Sequence, residues 1–569
     1  MISEQNDKGL YMFKLEKLSS FKGRKGPLLL IIMDGIGLGK EDDGNAVFLA
    51  KPKTLAKITK NTMKRNLFCT LKAHGTAVGL ISDEDMGNSE VGHNALGSGQ
   101  IFDQGAKLVD NSIKNGSFYR SKLWMDLTDK VVSKKGTVHL IGLLSNGNVH
   151  SNFNQLLRIV EGFAASGIQK LRLHLLTDGR DVPAKSALTF IRPLEIRLNE
   201  IVENYTAKNY DYEIASGGGR MYVTMDRYES NWKIVQRGWF AHVLGKIEDE
   251  ELKNGYKGYY RTAEEAITHA RECFPDKTDQ YLPPFVIVDD NNNPIGKIKD
   301  NDLVVNFNFR GDRAIQISRA FEEKDFSEFD REYFPKIDYL GLVQYDGDKL
   351  IPKQYLIHPA NIRSILSDFC CVNNIPSFAI AETHKFGHVT YFWNGNRSGY
   401  VCIEKEQYMK IDSDPNEMIE TNPEMKAMEV CEKTITALRS GEFKFLRVNF
   451  ANGDMVGHTG NIEASIQAVK TVDNCLKKLI DEVSKLGGIT IVTADHGNCE
   501  DMKFPDGRIK TAHSLNPVGF WIIDKNWKKE YTINSNLKEP GLSNVAATIL
   551  NLLGFEKPEI YQESLINFN

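Results

Sequence analysis

The chain has 569 residues, a formal net charge of −4, a hydrophobic fraction of 41% and a charged fraction of 26%. That length exceeds one ordinary core and points to more than one domain, the composition is that of a soluble globular protein, and the acidic balance argues against general nucleic-acid binding. Eight cysteines spread over this length make no disulfide framework and, apart from the adjacent Cys370 and Cys371, no zinc or redox spacing, which fits a reducing, cytoplasmic setting.

Residues 1–26 carry Glu4, Asp7 and Glu16 among lysines and lack a continuous apolar core, so they read as a polar extension rather than a secretory signal or transit peptide. The longest apolar run, 28–33, is too short to span a bilayer, and no membrane partner is expected. The run 27–33 predicts a buried strand, and Asp34 ends it just before Gly-Ile-Gly, where glycines allow close approach. Next comes Met-Gly-Asn-Ser-Glu-Val-Gly-His at 86–93. Ser89 stands there where a helix can begin, either as a simple N-cap or as a hydroxyl that a metal ionises. His93 reads as structural.

Aliphatic runs at 138–144, 171–176, 303–308, 378–382, 445–451 and 489–494 alternate with helix-length stretches such as 463–485 and 543–553. The pattern predicts an α/β fold with largely parallel sheets, whose ligands gather at the carboxyl ends of strands. Between the runs, the segments 176–183, 217–227 and 306–313 set Arg180, Arg220, Arg227, Arg310 and Arg313 after strands or beside glycines. A planar guanidinium there can grip a carboxylate or phosphate, although salt bridges with the neighbouring aspartates are an alternative reading. Asn291 to Pro294 reads as a turn inside this middle region.

In the last quarter, Asp454 and His458 follow the run 445–451, Asp495 and His496 close the run 489–494, and His513 lies just beyond. An Asp-His-Gly sequence alone is often only a capped turn. Together with Asp34, however, these residues make six oxygen and nitrogen donors without cysteine, too many for one tetrahedral site and suited to a two-metal centre. Such donors accept Mn²⁺, Mg²⁺, Co²⁺ or Zn²⁺. For both ends of the chain to share that site, the middle must be an insertion. The expected organisation is an extension at 1–26, a first segment at 27–103, an inserted domain at 104–356 and a second segment at 357–569.

From about residue 28 to the C-terminus, the phrases Gly-Asn-Ser-Glu-Val-Gly-His, Asp-Gly-Arg-Asp-Val-Pro and Thr-Ala-Asp-His-Gly-Asn resemble those of the cofactor-independent phosphoglycerate mutases of the alkaline phosphatase superfamily. The resemblance implies an alkaline-phosphatase-like α/β domain interrupted by an inserted α/β transferase domain, and interconversion of 3-phosphoglycerate and 2-phosphoglycerate without 2,3-bisphosphoglycerate. It makes Ser89 the phosphorylated nucleophile. It assigns Asp34, Ser89, Asp495 and His496 to one divalent ion, and Asp454, His458 and His513 to the other, with Mn²⁺ first choice and Mg²⁺ or Co²⁺ next. His150, Arg180, Asp181, Arg220, Arg227, Arg310 and Arg313 would surround the glycerate, Asp181 exchanging its hydroxyl proton, and Lys385 would face the phosphoryl group. Closure of the two domains would then keep water from the intermediate.

Two departures separate this sequence from the bacterial form. The Arg220 to Arg227 spacing is one residue longer, and His384 replaces a glutamate. Both features look like the longer plant and kinetoplastid branch. The competing readings are a metal-dependent phosphatase or phosphopentomutase of the same superfamily, and a catalytically silent binding module; the arginine phrases argue against the first two and the retained nucleophile against the third. The chain is expected to act as a monomer on a small-molecule substrate.

Overall fold

The computed structural model describes residues 13–204, 209–227, 231–346, 350–357, 362–415 and 418–569; the first twelve residues of the expected extension lie outside these. The chain forms two compact units, one comprising Met1–Gln104 and Asn361–Asn569 and the other Gly105–Ala360. Both are α/β.

The first unit is built on a seven-stranded sheet in the order Glu406–Ile411, Ser377–Glu382, Phe445–Phe450, Leu28–Met33, Ile489–Thr493, Val518–Asp524 and Phe68–Leu71. The first five strands run parallel; Val518–Asp524 is antiparallel to them, and Phe68–Leu71, antiparallel to Val518–Asp524, runs with the first five again. Leu28–Met33 is buried along its whole length, as its unbroken aliphatic sequence requires of a central parallel strand. Alternate side chains enter opposite cores. Leu28, Leu30 and Ile32 share a core with Val545 and Ile549 of the helix Asn544–Leu552, while Leu29, Ile31 and Met33 share the other with Val472, Leu476 and Leu479 of the helix Ile462–Lys485.

Past residue 12, the N-terminal segment is not wholly polar in its packing: Leu18 and Phe21 are buried, and Phe21 belongs to the same core as Leu28. Cys371 and Cys402 form a disulfide with Cα atoms 5.8 Å apart, a pairing that cysteine spacing did not predict, while the other six cysteines are free. Among the described residues no helix is long and apolar enough to cross a membrane.

The second unit holds an eight-stranded sheet in the order Tyr355–Ile357, Asp338–Val343, Leu303–Asn306, Val138–Leu144, Lys170–Thr177, Asp211–Gly219, Phe285–Ile287 and Tyr259–Tyr260. Only the Asp211–Gly219 and Phe285–Ile287 pairing is antiparallel. The expected turn at Asn291 to Pro294 closes a bridge between Val288 and Pro294.

Three histidines, His139, His174 and His242, are wholly buried in this unit. Burial holds each below the usual imidazole range, His242 at about 3. The unfolded chain therefore binds more protons than the folded one below pH ~6.5, so stability is complete above that value and is lost as pH falls towards the folded values. At pH 5, His242 alone should remove on the order of 2 kcal/mol. Calorimetric melting at pH 7 and pH 5 checks this: Tm should fall on acidification, and fall less in His242→Gln.

Candidate active site

Adjacency of strands brings the first cluster together. Phe445–Phe450, Leu28–Met33 and Ile489–Thr493 are neighbours in register, Met33 opposite Phe450 and Ile32 opposite Thr493. Asp34, Asp454 and Asp495 therefore leave the same edge of the sheet, although more than four hundred residues separate the first from the others in sequence. Glycines permit the approach: a Cβ on Gly35, whose φ is +72°, would lie 2.5 Å from the Asp454 nitrogen, and one on Gly92 would lie 2.7 Å from the Asp495 carbonyl oxygen. All three carboxylates are buried.

Ser89 is the first residue of the helix Ser89–Ser98, but it does not cap it. Asn88 takes that role, its side-chain oxygen accepting from the Glu90 and Val91 nitrogens at 3.0 and 3.2 Å. The Ser89 hydroxyl is thereby released to the cluster. Its Oγ lies 2.6 Å from Lys385 Nζ, 2.9 Å from His496 Nε2 and 3.2 Å from Asp34 Oδ1. Lys385 also donates to Asp34 Oδ1 at 2.7 Å and Asp454 Oδ2 at 2.6 Å. Although burial acts against its charge, Asp34, Asp454 and Asp495 raise its pKa and keep it an ammonium. Burial and Asp495 push Asp34 up to about 6, whereas the Lys385 ammonium overcomes burial and holds Asp454 well below the usual carboxylate range.

The residues present fit divalent ions. Asp454 lies in the first turn of the helix Asn452–Gly457 and His458 caps its C-terminus, so the two share a face as their spacing predicts. His458 Nδ1 faces the Thr511 carbonyl at 2.6 Å and His513 Nδ1 faces that of Gly87 at 2.7 Å. Each Nδ1 thus carries the proton and each Nε2 presents a lone pair. Those two Nε2 atoms are 3.0 Å apart, and each is 3.1 Å from Asp454 Oδ1. Three donors about 3 Å apart are spaced like neighbouring corners of a shell whose metal–ligand bonds are roughly 2.1 Å. Two lone pairs at that separation repel unless a cation sits between them.

Buried donors within reach of one another also group as Asp454, His496 and His513, and as Asp34, Asp495 and His93. His93 Nδ1 lies 2.8 Å from the Ser89 carbonyl oxygen and 3.3 Å from Asp495 Oδ2, which agrees with a supporting rather than exposed role. His496 Nε2 stands between the groups, 3.5 Å from Asp34 Oδ1 and 3.8 Å from Asp454 Oδ1.

The second unit gathers its own site at strand ends. Asp178 follows Lys170–Thr177, and Arg220 follows the adjacent Asp211–Gly219. Asp178 Oδ1 accepts from Arg220 Nη1 at 2.9 Å and from the Arg180 and Asp181 nitrogens at 3.0 and 3.1 Å. Arg220 Nη1 also donates to Asp181 Oδ2. Arg227 Nε approaches Asp312 Oδ2 at 3.1 Å, while Arg310 Nε and His150 Nδ1 each approach Asp312 Oδ1 at 3.4 Å. Arg313 donates to the Met225 carbonyl at 2.8 Å.

These are not surface salt bridges: Arg220 is 1% exposed and Arg313 8%. Five guanidinium groups meet the three carboxylates of Asp178, Asp181 and Asp312, leaving an excess of positive charge. Burial and the neighbouring Arg220, Arg310 and Arg313 hold His150 well below its usual range, and burial with Arg220 and Arg227 does the same to Arg313. Such a pocket calls for an anion.

Sequence reasoning missed Asp178 and Asp312, the carboxylates that align the arginines. Both lie inside or beside the arginine phrases, where they read as mere neighbours. It also missed Asn449, whose amide donates to Asp34 Oδ2 at 2.7 Å, and Glu500, which accepts from the Gly37 and Asn498 nitrogens at 2.9 and 2.8 Å. His384 is buried.

Strand-end carboxylates and imidazoles around a serine make a donor set suited to divalent metal ions, and the metalloenzyme superfamily matches residues 26–557. A 2,3-bisphosphoglycerate-independent phosphoglycerate mutase of Ricinus communis is 46% identical, covering 95% of this chain and 96% of its own. One from Trypanosoma brucei brucei is 43% identical, covering 95% and 97%. The crystal structure of Leishmania mexicana phosphoglycerate mutase at low cobalt concentration superposes with a TM-score of 0.90 at 44% identity, covering 98% of this chain and all of that one. The chain belongs to the metalloenzyme superfamily. Within it, the chain is a member of the 2,3-bisphosphoglycerate-independent phosphoglycerate mutase family, as its motifs led one to expect.

Proposed function

We propose that the chain interconverts 3-phosphoglycerate and 2-phosphoglycerate through a phosphoserine at Ser89. The observation that carries this reading is the Ser89 hydroxyl, buried and held at 2.6 Å from Lys385 Nζ among three strand-end carboxylates. In the proposed sequence Ser89 passes its hydroxyl proton to the Asp34 carboxylate, 3.2 Å from Oγ, as Oγ attacks phosphorus, forming one P–O bond while the bond to glycerate breaks, and takes that proton back when the phosphoryl group leaves. Lys385 offsets charge on the phosphoryl oxygens in flight. The freed alkoxide takes a proton from Asp181, the glycerate reorients, and its other hydroxyl returns a proton to Asp181 as it attacks the phosphoserine. Arg220, fixed by Asp178, aligns Asp181, and Arg180, Arg227, Arg310, Arg313 and His150 hold the carboxylate and hydroxyls of the glycerate.

The ions we propose are Mn²⁺, with Mg²⁺ or Co²⁺ as substitutes, one on Asp34, Ser89, Asp495 and His496 and one on Asp454, His458 and His513. When bound they supply Lewis-acid stabilisation of the attacking and leaving oxygens. Because Ser89 itself carries the phosphoryl group, no 2,3-bisphosphoglycerate is required. We further propose that Gly105–Ala360 is the inserted substrate-binding domain, and that the protein acts as a monomer in the cytoplasm.

The test is an enolase-coupled assay with 3-phosphoglycerate and Mn²⁺ but no 2,3-bisphosphoglycerate. Turnover is expected, with loss on chelation and recovery when Mn²⁺ is restored. Release of inorganic phosphate in step with loss of 3-phosphoglycerate would instead identify a phosphatase.

A further inference from the structure

A file of buried polar side chains crosses the second unit from one end of its sheet to the arginine pocket, and the chemistry above does not use it. It begins at Asp302, whose carboxylate accepts from the Thr137 and Lys299 nitrogens, both at 2.7 Å. His139 Nε2 lies 3.2 Å from Asp302 Oδ2, and His139 Nδ1 lies 2.9 Å from His174 Nε2. Ser216 Oγ then bridges His174 Nδ1 and His242 Nδ1, at 2.7 Å from each. His242 Nε2 ends the file 2.8 Å from Thr224 Oγ1. His139, His174 and Ser216 stand on three successive parallel strands, Ile141 opposite His174 and His174 opposite Ser216. No member is more than 5% exposed.

With neutral imidazoles, only one arrangement gives every contact a donor. A carboxylate only accepts, so His139 Nε2 donates; His139 Nδ1 must then accept from His174, His174 Nδ1 from Ser216, Ser216 Oγ from His242 and His242 Nε2 from Thr224. All hydrogen bonds point towards Asp302. A file with a single polarity fixes each rotor and tautomer along it, and loss of one member unsettles the next.

Thr224 is the member that needs holding. Its φ is +69°, a left-handed conformation that a β-branched residue adopts only under constraint. Two neighbouring features accommodate it. Gly238, inside the helix Trp232–Trp239, leaves room where a Cβ would sit 2.0 Å from Thr224 Oγ1. His242 is presented by a π-helical turn, Phe240–Leu244, the kind of local widening that recurs at functional sites. The turn so constrained carries the arginines. Met225, the next residue, offers its carbonyl to Arg313, and Arg220 and Arg227 flank the segment.

We propose that the file Asp302–His139–His174–Ser216–His242–Thr224 is a positioning device for the anion pocket: it pins Thr224 in its left-handed conformation and thereby sets the Arg220–Arg227 turn and the seat of Arg313. Its members touch no substrate. The inference rests on the proposed function for the identity of the anion, and deepens it by assigning the residues that tune affinity.

The test compares Thr224→Val, which keeps shape and loses the donor, with Thr224→Ser, which keeps the donor. For 3-phosphoglycerate, Thr224→Val should raise KM about tenfold with kcat changed less than about threefold, as expected when one buried hydrogen bond that serves ground-state binding is lost. Thr224→Ser should recover most of the affinity. Ser216→Ala, one link further from the pocket and small enough to be tolerated in the core, should move KM the same way by a smaller factor. Calorimetric titration of each protein with 3-phosphoglycerate in the presence of a chelator reads the same pocket without turnover. If the unmodified protein binds but does not isomerise, the functional reading fails while this comparison still stands. Wild-type affinity in Thr224→Val, or equal loss in Thr224→Val and Thr224→Ser, overturns the positioning role.

Discussion

Ser89→Ala should lower kcat by about 10⁴-fold or more, the loss usual when the nucleophile of a covalent mechanism is removed. The variant should fold normally. Helix capping belongs to Asn88, not Ser89, and alanine carries no helix-propensity penalty. The removed hydroxyl is the one the proposed route phosphorylates, and Lys385, His496 and Asp34 surround its oxygen at 2.6, 2.9 and 3.2 Å. Mass spectrometry of protein quenched during turnover supplies a second readout, a single phosphoryl adduct on Ser89 that the variant lacks. Undiminished turnover in Ser89→Ala would sink the phosphoserine route, whatever the adduct.

The parts of this site that were legible in the sequence are those where local pattern carries the geometry. Asp34 ends an unbroken aliphatic run and Asp495 a largely apolar one interrupted by Thr490 and Thr493, and such runs are central parallel strands whose carboxyl ends collect ligands. Their adjacency across the whole chain length followed once the donors were treated as one set. Ser89 was legible as a helix-start serine between glycines, but its freedom was not: that depended on Asn88 doing the capping. Lys385 came only from family resemblance, because nothing local distinguishes a lysine that meets Asp34 and Asp454 across the sheet.

The unread residues share one physical cause. Asp312 matters because it faces Arg227 and His150, and Asp178 because it faces Arg220; both relations are set by strand order, which periodicity does not encode. The histidine file is more remote still, since His139, His174 and Ser216 meet only through the register of three strands. Phe21 reads as part of a polar extension, yet it packs in the core of the first unit, because one aromatic among lysines makes no periodic signal.

Lys385→Met should lower kcat by about 10²- to 10³-fold at saturating Mn²⁺ while leaving Mn²⁺ affinity undiminished. The two expectations belong together. Lys385 is 2% exposed, and its ammonium bonds to Asp34 Oδ1 and Asp454 Oδ2, carboxylates assigned here to the two ions. Removing a competing cation makes the cluster more negative, so a divalent ion should bind at least as tightly. The chelated variant has no such compensation: three buried carboxylates lose their ammonium, which should cost on the order of 3 kcal/mol and lower Tm, with Mn²⁺ restoring it. Slow turnover with full metal occupancy then isolates the role proposed for Lys385, its positive charge against a phosphoryl group leaving or reaching Ser89 Oγ, 2.6 Å away. A Mn²⁺ titration followed by electron paramagnetic resonance, paired with kcat, separates the outcomes. If kcat falls only in proportion to lost metal, Lys385 is a scaffold for the ions; if kcat falls with the ions in place, its charge acts on the phosphoryl group itself.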